Sequence, residues 1–245
     1  MKRKLLLIAM LISGCAFGQI SITYSDYESA FSPGTTYKSH MVPITGNMIS
    51  VFVGEASPTA QYWDLSGYTF EYVARSVGIN PADAPFYSDF PTSTAVLYEK
   101  SWYSTRDTIH NWNYKKLQAD RLLLLGISDL YNILYTYDPP VIQAMVPLTY
   151  GSSWQRQCDS TYIMPEYWII TEGLVVVDAF GTMKLPSGQY DCLRLTQKNL
   201  VINHSPVGVD TTEDRSYHFL CQGAGRSQSA AHHGKSIQSD NHSNP

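Results

Sequence analysis

The chain has 245 residues, 44% of them hydrophobic and 16% charged, with a formal net charge of −4. Those proportions describe a globular chain of one large domain or two small ones, and exclude a disordered or fibrous one. A nucleic-acid binder needs a basic face to neutralise phosphates, and no Lys/Arg cluster supplies one; loss of Lys2, Arg3 and Lys4 with a cleaved leader takes the charge to −7.

Residues 1–19 read MKRKLLLIAMLISGCAFGQ. A basic start, an apolar stretch over residues 5–12 and then small residues make a secretory signal peptide, too short for a spanning helix. Two processing readings compete. Ala16-Phe17-Gly18 puts small residues at −3 and −1, giving a leader of residues 1–18 cut between Gly18 and Gln19. Ile12-Ser13-Gly14-Cys15 reads as a lipobox, which would make Cys15 a lipidated anchor. Alternation resumes almost at once at Ile20, Ile22 and Tyr24, leaving no polar tether, so cleavage after Gly18 is the preferred reading. No later segment reaches the ~20 apolar residues of a transmembrane helix. The expected location is periplasmic, cell-surface or extracellular.

From residue 20 the text reads as strands broken by turns. After the Ser32-Pro33-Gly34 turn come short apolar runs at residues 48–53 and 61–65, then an aromatic, β-branched strand at 68–77. Residues 78–94 hold three prolines and read as an ordered loop. Strands follow at 95–103 and 107–116, and RLLLLGI at 121–127 is a core strand. The one expected helix lies around residues 129–134. Pro139-Pro140 bends the chain before strands at 141–146 and 162–177. The 18 tyrosines, eight phenylalanines and five tryptophans favour strands over helices. The expected fold is all-β, an antiparallel sandwich or an open, curved half-barrel with little helix, as a single domain over residues 19–222. Residues 223–245 carry a single large aliphatic residue, Ile237, and are expected to form a disordered polar tail.

Export places Cys158, Cys192 and Cys221 where disulfides persist. Their spacing fits no zinc pattern. A Cys158–Cys192 bridge between neighbouring strands competes with buried free thiols, and any pairing leaves one cysteine over.

Three segments resemble the N-terminal β-rich regions of secreted Bacteroidota proteins exported by the type IX system. They are Trp63-Asp64-Leu65-Ser66, the PLTYGSSW of residues 147–154, and the DAFGTMKLPSGQYDCLR of residues 178–194. The resemblance covers residues 19–222 and implies structural motifs, with no activity to carry over. It implies glycan attachment at Asp107-Thr108-Ile109, Asp159-Ser160-Thr161 and Asp210-Thr211-Thr212. Such proteins usually continue into a C-terminal sorting domain. A polar tail from Gly223 stands there instead, which points to a truncated product or a frame shift near residue 222.

Catalytic chemistry finds little support. Asp178 and Asp191 flank a hairpin, and paired carboxylates ~5–10 Å apart can hydrolyse glycosides. Turn chemistry at Pro186-Ser187-Gly188 makes a structural role for both the stronger reading. No H-E-x-x-H, G-x-S-x-G, Walker loop or G-x-G-x-x-G occurs, so neither a metal nor a cofactor is expected. Trp102 and Trp112 are a candidate sugar-stacking platform, against the commoner role of alternating aromatics as packing. The leading expectation is a non-catalytic binding or structural module with a glycan or another surface protein as partner. The alternatives are a secreted glycan hydrolase and a carrier of an apolar ligand in the concave face of a curved sheet.

Overall fold

The computed structural model describes residues 20–41, 53–69, 71–102, 108–129, 134–161, 168–206, 208–221 and 227–234. The leader, with Cys15, Gly18 and Gln19, lies outside them, as does the apolar run before Val53.

A helix opens the described chain, α1 (Tyr24–Phe31). Asp26 Oδ2 accepts from the Thr23 amide at 2.7 Å, and Thr23 Oγ1 accepts from the Asp26 amide at 3.4 Å. This capping box satisfies two amides that the first turn leaves without helical partners. Tyr27 and Phe31, one turn apart, share a face and are each 4% exposed. The alternation at Ile20, Ile22 and Tyr24 suggests a strand, but only Ile22 pairs, as a bridge to Leu148. The cap and the four-residue spacing of Tyr27 and Phe31 decide for helix. The helix expected at 129–134 is not formed at either end. Asp129 closes a strand and Leu134 opens the next, while residues 130–133 lie outside the described set.

The described residues form twelve strands. The first six are β1 (Thr36–Met41), β2 (Gln61–Asp64), β3 (Glu71–Ile79), β4 (Ala95–Trp102), β5 (Thr108–Leu117) and β6 (Arg121–Asp129). Then come β7 (Leu134–Met145), β8 (Ser153–Thr161), β9 (Trp168–Leu185), β10 (Gly188–Ser205), β11 (Gly208–Cys221) and β12 (Ser227–Gly234). Apart from β2, order in space follows order in sequence, and each neighbour is antiparallel. A single register pair, Tyr137 with Ser160, joins the β1–β7 half to the β8–β12 half. Among the described residues the architecture is all-β and open, with no closed barrel. Pro139 and Pro140 sit where pairing between β6 and β7 lapses, from Thr136 to Val141, because proline has no amide to donate.

One face of this curved sheet wraps around α1. Tyr27 and Phe31 pack with Ala95 of β4, Leu117 of β5, Leu122 of β6, Ala144 of β7, Trp154 of β8, Val177 of β9 and Leu195 of β10. The helix itself meets β3, β4 and β5, and the same core continues across this concave face as far as β10. On the convex face, the loop after β3 covers β4–β6. Ala84 and Phe90 pack on Val96, Tyr114 and Leu125, with Phe90 stacked 4.3 Å from Tyr114. Two short 3-10 turns, Pro81–Asp83 and Tyr87–Asp89, give that proline-rich loop its order.

Within the expected polar tail, Ser227–Gly234 forms β12 along the edge of β11. Strand pairing is made by backbone groups and needs no apolar side chain, so composition alone did not forbid it.

The packing makes Phe31 the anchor of the concave core. Phe31→Ala is expected to lower unfolding stability by about 3–5 kcal/mol, whereas Tyr24→Ala, on the exposed side of the helix, should change it by less than about 0.5 kcal/mol. Equal losses in urea titrations of the two variants would show that the helix does not dock by this face.

Candidate functional site

The three segments singled out in the sequence meet at the middle of β9. Its long edge is shared by two partners. β8 pairs with residues up to Val176, and β2 runs parallel to Gly181–Lys184. Between them, β9 bulges against β10, with Ala179 opposite Arg194 but Val177 opposite Leu195. Asp178 is the extra residue, and a bulge re-aims the side chain it inserts. Its Oδ1 accepts from Arg194 Nε at 2.9 Å and its Oδ2 from Thr196 Oγ1 at 2.7 Å. Arg194 is 1% exposed. Its Nη1 donates to the Val53 carbonyl at 2.6 Å, and its guanidinium lies 5.4 Å from the centre of the Tyr217 ring.

Each neighbouring segment closes on this pair through backbone bonds. The Ser57 amide donates to the Asp178 carbonyl at 2.9 Å. Val177 accepts from the Gly151 amide and donates to the Ser152 carbonyl, each at 2.8 Å, in the turn of residues 149–152, where Gly151 has φ +85°, a left-handed conformation natural to glycine. Trp63 Nε1 donates to the same Val53 carbonyl at 3.1 Å, and Trp154 Nε1 donates to the Ile142 carbonyl at 3.1 Å. Gly181 is required by close approach, since a Cβ there would fall on the Gln61 backbone. Around them Trp63, Leu65, Ala179, Met183 and Phe219 form a second core on the convex face, with Trp63 edge-on to Phe219 at 4.9 Å.

The same core holds the disulfide, Cys192–Cys221, between residues directly opposite each other on β10 and β11. This corrects the expected Cys158–Cys192 bridge. Cys158 lies on β8 opposite Thr171, which is opposite Val201. It is therefore two strands away from Cys192 and nine residues along β10, roughly 30 Å at strand spacing. Hairpin distance in sequence was a poor guide, because strands of 18 residues carry their ends far apart.

The two carboxylates do not converge. Asp191 is exposed, accepts from Thr182 Oγ1 at 3.1 Å, and shares the parity of the concave-facing Leu193. Asp178 points to the other face, toward Arg194 and Thr196. Pro186 and Ser187 make the two-residue turn between β9 and β10. Asp64, of the Trp-Asp-Leu-Ser segment, takes both the Ser66 hydroxyl (2.6 Å) and the Ser66 amide (2.9 Å), and pairs with Lys184 at 3.2 Å. The Ser66 hydroxyl, then its amide, then Lys184 hold the Asp64 carboxyl down at about 2.

Trp112 is half-buried, lies opposite Tyr98 with ring centres 5.2 Å apart, and packs on the convex core. Trp102 occupies the same strip of β4, opposite Thr108, but its side chain is outside the described set. Between them Tyr98 hydroxyl and His110 Nδ1 are 2.5 Å apart. Of the proposed glycan acceptors, Asp210 is exposed on β11; Asp107 and the Asp159 side chain are outside the described residues. Among the described residues no three His, Cys, Asp or Glu gather to hold a metal ion, and no helix is long and apolar enough to cross a membrane.

No family model, curated protein or solved structure matches the chain.

Sequence reasoning missed two cations on these strands, Arg194 in the convex core and Arg156 on β8. A lone arginine between apolar neighbours (Leu193-Arg194-Leu195) is the signal that finds the first, since such a group needs a fixed partner.

Two tests follow from this geometry. Asp178→Asn leaves Arg194 charged and short of its counter-ion, and should cost about 3–5 kcal/mol; adding Arg194→Met should recover much of that loss. A double variant no more stable than the single one in urea titration would refute the pairing. For Asp64, the depressed folded-state value means that its contribution is fully present above about pH 4, the unfolded carboxyl range, and is lost as pH falls toward 2. Asp64→Asn should flatten stability across that window, and an unchanged acid slope would exclude the interaction.

Proposed function

We propose that the chain is an exported, non-catalytic binding module that uses the concave face of its curved sheet. The observation that carries this reading is the division of that face. Around α1 it is a packed apolar core, but further along β8–β11 it continues as half-buried polar residues, with Arg156, Gln197, Asn199 and His218 on the same side as Val175 and Leu195. Inward-facing polar groups on a curved sheet suit ligand recognition better than packing. The non-catalytic part is supported by Asp178, whose bonds to Arg194 and Thr196 serve the fold, and by its separation from Asp191.

Export is supported by residues 1–19, and placement at the cell surface or in the periplasm by the resemblance of the three segments to type IX cargo. A disulfide fits an oxidising compartment. A second reading, glycan binding on the convex face, rests on the Tyr98–His110–Trp112 strip.

A glycan array and a lipid overlay probed with the full chain separate these. Binding to amphiphiles without binding to glycans is expected. Glycan binding that Trp112→Ala abolishes would move the function to the convex face, and cleavage of any arrayed glycan would overturn the non-catalytic reading.

A further inference from the structure

We infer that the chain pairs with a second copy of itself through the convex face of β9–β11, opposite the face proposed above for ligand. An antiparallel strand with one face in water alternates apolar with polar residues, and β10 gives this up over Leu200, Val201 and Ile202. A run apolar toward both faces belongs to a strand covered on both, but all three side chains are half-buried.

The strand register turns that run into a surface. Even-numbered residues of β10 point away from the concave Leu195, so Leu200 and Ile202 are convex. Leu174 of β9 lies opposite Lys198, and Val209 of β11 lies opposite His204. Leu174, Leu200, Ile202 and Val209 therefore make one diagonal ridge across three strands, roughly 20 Å long. Leu174 is 44% and Val209 50% exposed, and none of the four joins a core cluster among the described residues. An apolar strip with a charged rim marks a contact surface.

The rim decides what the contact is. On one side of the ridge stand Lys198 and Arg215, opposite each other on β10 and β11. Glu172 stands on the other side, opposite Leu200. All three are exposed, and none forms an ion pair among the described residues. Glu213 shares the side of the two cations, which keeps a net positive charge. A two-fold axis laid along the ridge stacks ridge on ridge and exchanges its two sides. Lys198 of each copy then lies over Glu172 of the other, offset by roughly 5 Å in plan, with Arg215 one strand further out. Sheets packed face to face are about 10 Å apart, a gap that a lysine and a glutamate reaching toward each other close. The face is thus its own complement, as an isologous contact requires. A ridge three strands wide is at the small end of specific interfaces, so the dimer is reversible and concentration-dependent.

Sedimentation equilibrium of the full chain from micromolar to millimolar concentration tests this. The mass should rise from one copy toward two. Lys198→Glu or Glu172→Lys sets like charges against each other across the axis and should weaken the dimer at least about tenfold, whereas the double reversal should restore it. Both side chains are exposed, so neither change threatens folding. Val209→Asp should weaken the dimer likewise, and Tyr62→Asp, at an equally exposed ring on β2, should leave it unchanged. A mass of one copy throughout would overturn the proposal. So would self-association that the single reversals leave intact, or that the double reversal fails to restore.

Discussion

Arg194 is a permanent charge taken almost wholly out of water, and the middle of the sheet is arranged so that it is paired there. Its Nε meets Asp178, its Nη1 meets the Val53 carbonyl, and its face lies against Tyr217. Asp178 reaches it only because β9 bulges at that residue. The bulge also marks where β9 changes partner, from β8 below to β2 above. One ion pair therefore coincides with three structural events: the change of edge partner, the return of residues 53–57 over the convex face, and the start of the disulfide-bearing second core. A buried pair of this kind adds little net stability over a well-packed apolar one, but it is intolerant of losing one member. Its use here is to fix register along β9 and β10, where 18-residue strands would otherwise have many ways to slip.

This explains which parts of the fold were legible in the sequence. The strands β3 to β6 and the two-residue turn at Pro186-Ser187 follow from alternation and turn chemistry, which are local. The segments Trp63–Ser66, 147–154 and 178–194 were recognisable as motifs, but their meeting point was not, because β2 joins β9 across some 120 residues of chain. The helix at Tyr24–Phe31 was masked by a coincidental alternation over Ile20, Ile22 and Tyr24. Its Thr23-x-x-Asp26 cap was present to be read. The disulfide could not be read at all, since it depends on β10 and β11 bringing Cys192 opposite Cys221.

The two faces of the sheet also divide the work of the aromatic residues. Trp63, Phe219, Phe90 and Tyr114 are spent on covering the convex face, and Trp154, Tyr27 and Phe31 on filling the concave one near α1. Among the described residues, each buried indole donates its N–H to a carbonyl, Trp63 to Val53 and Trp154 to Ile142. These rings act as fixed corners of the frame, which is the structural role that alternating aromatics most often have. A high aromatic content thus pointed to fold class and said little about ligand.

The contrast between two arginines shows what full burial demands. Arg194 and Arg156 lie on strands of the same sheet, on opposite faces. The first is surrounded by acceptors that the chain supplies, and its surroundings are explained by the fold. The second is half-buried, in a row with Gly173 and Asn199 in which the Asn199 side-chain oxygen lies over the glycine. A structural arginine is expected to carry its own counter-ion, as Arg194 does. Arg156 keeps part of its side chain in water, where hydration stands in for a counter-ion; full burial removes that alternative, and the pairing of Arg194 on the convex face follows from it.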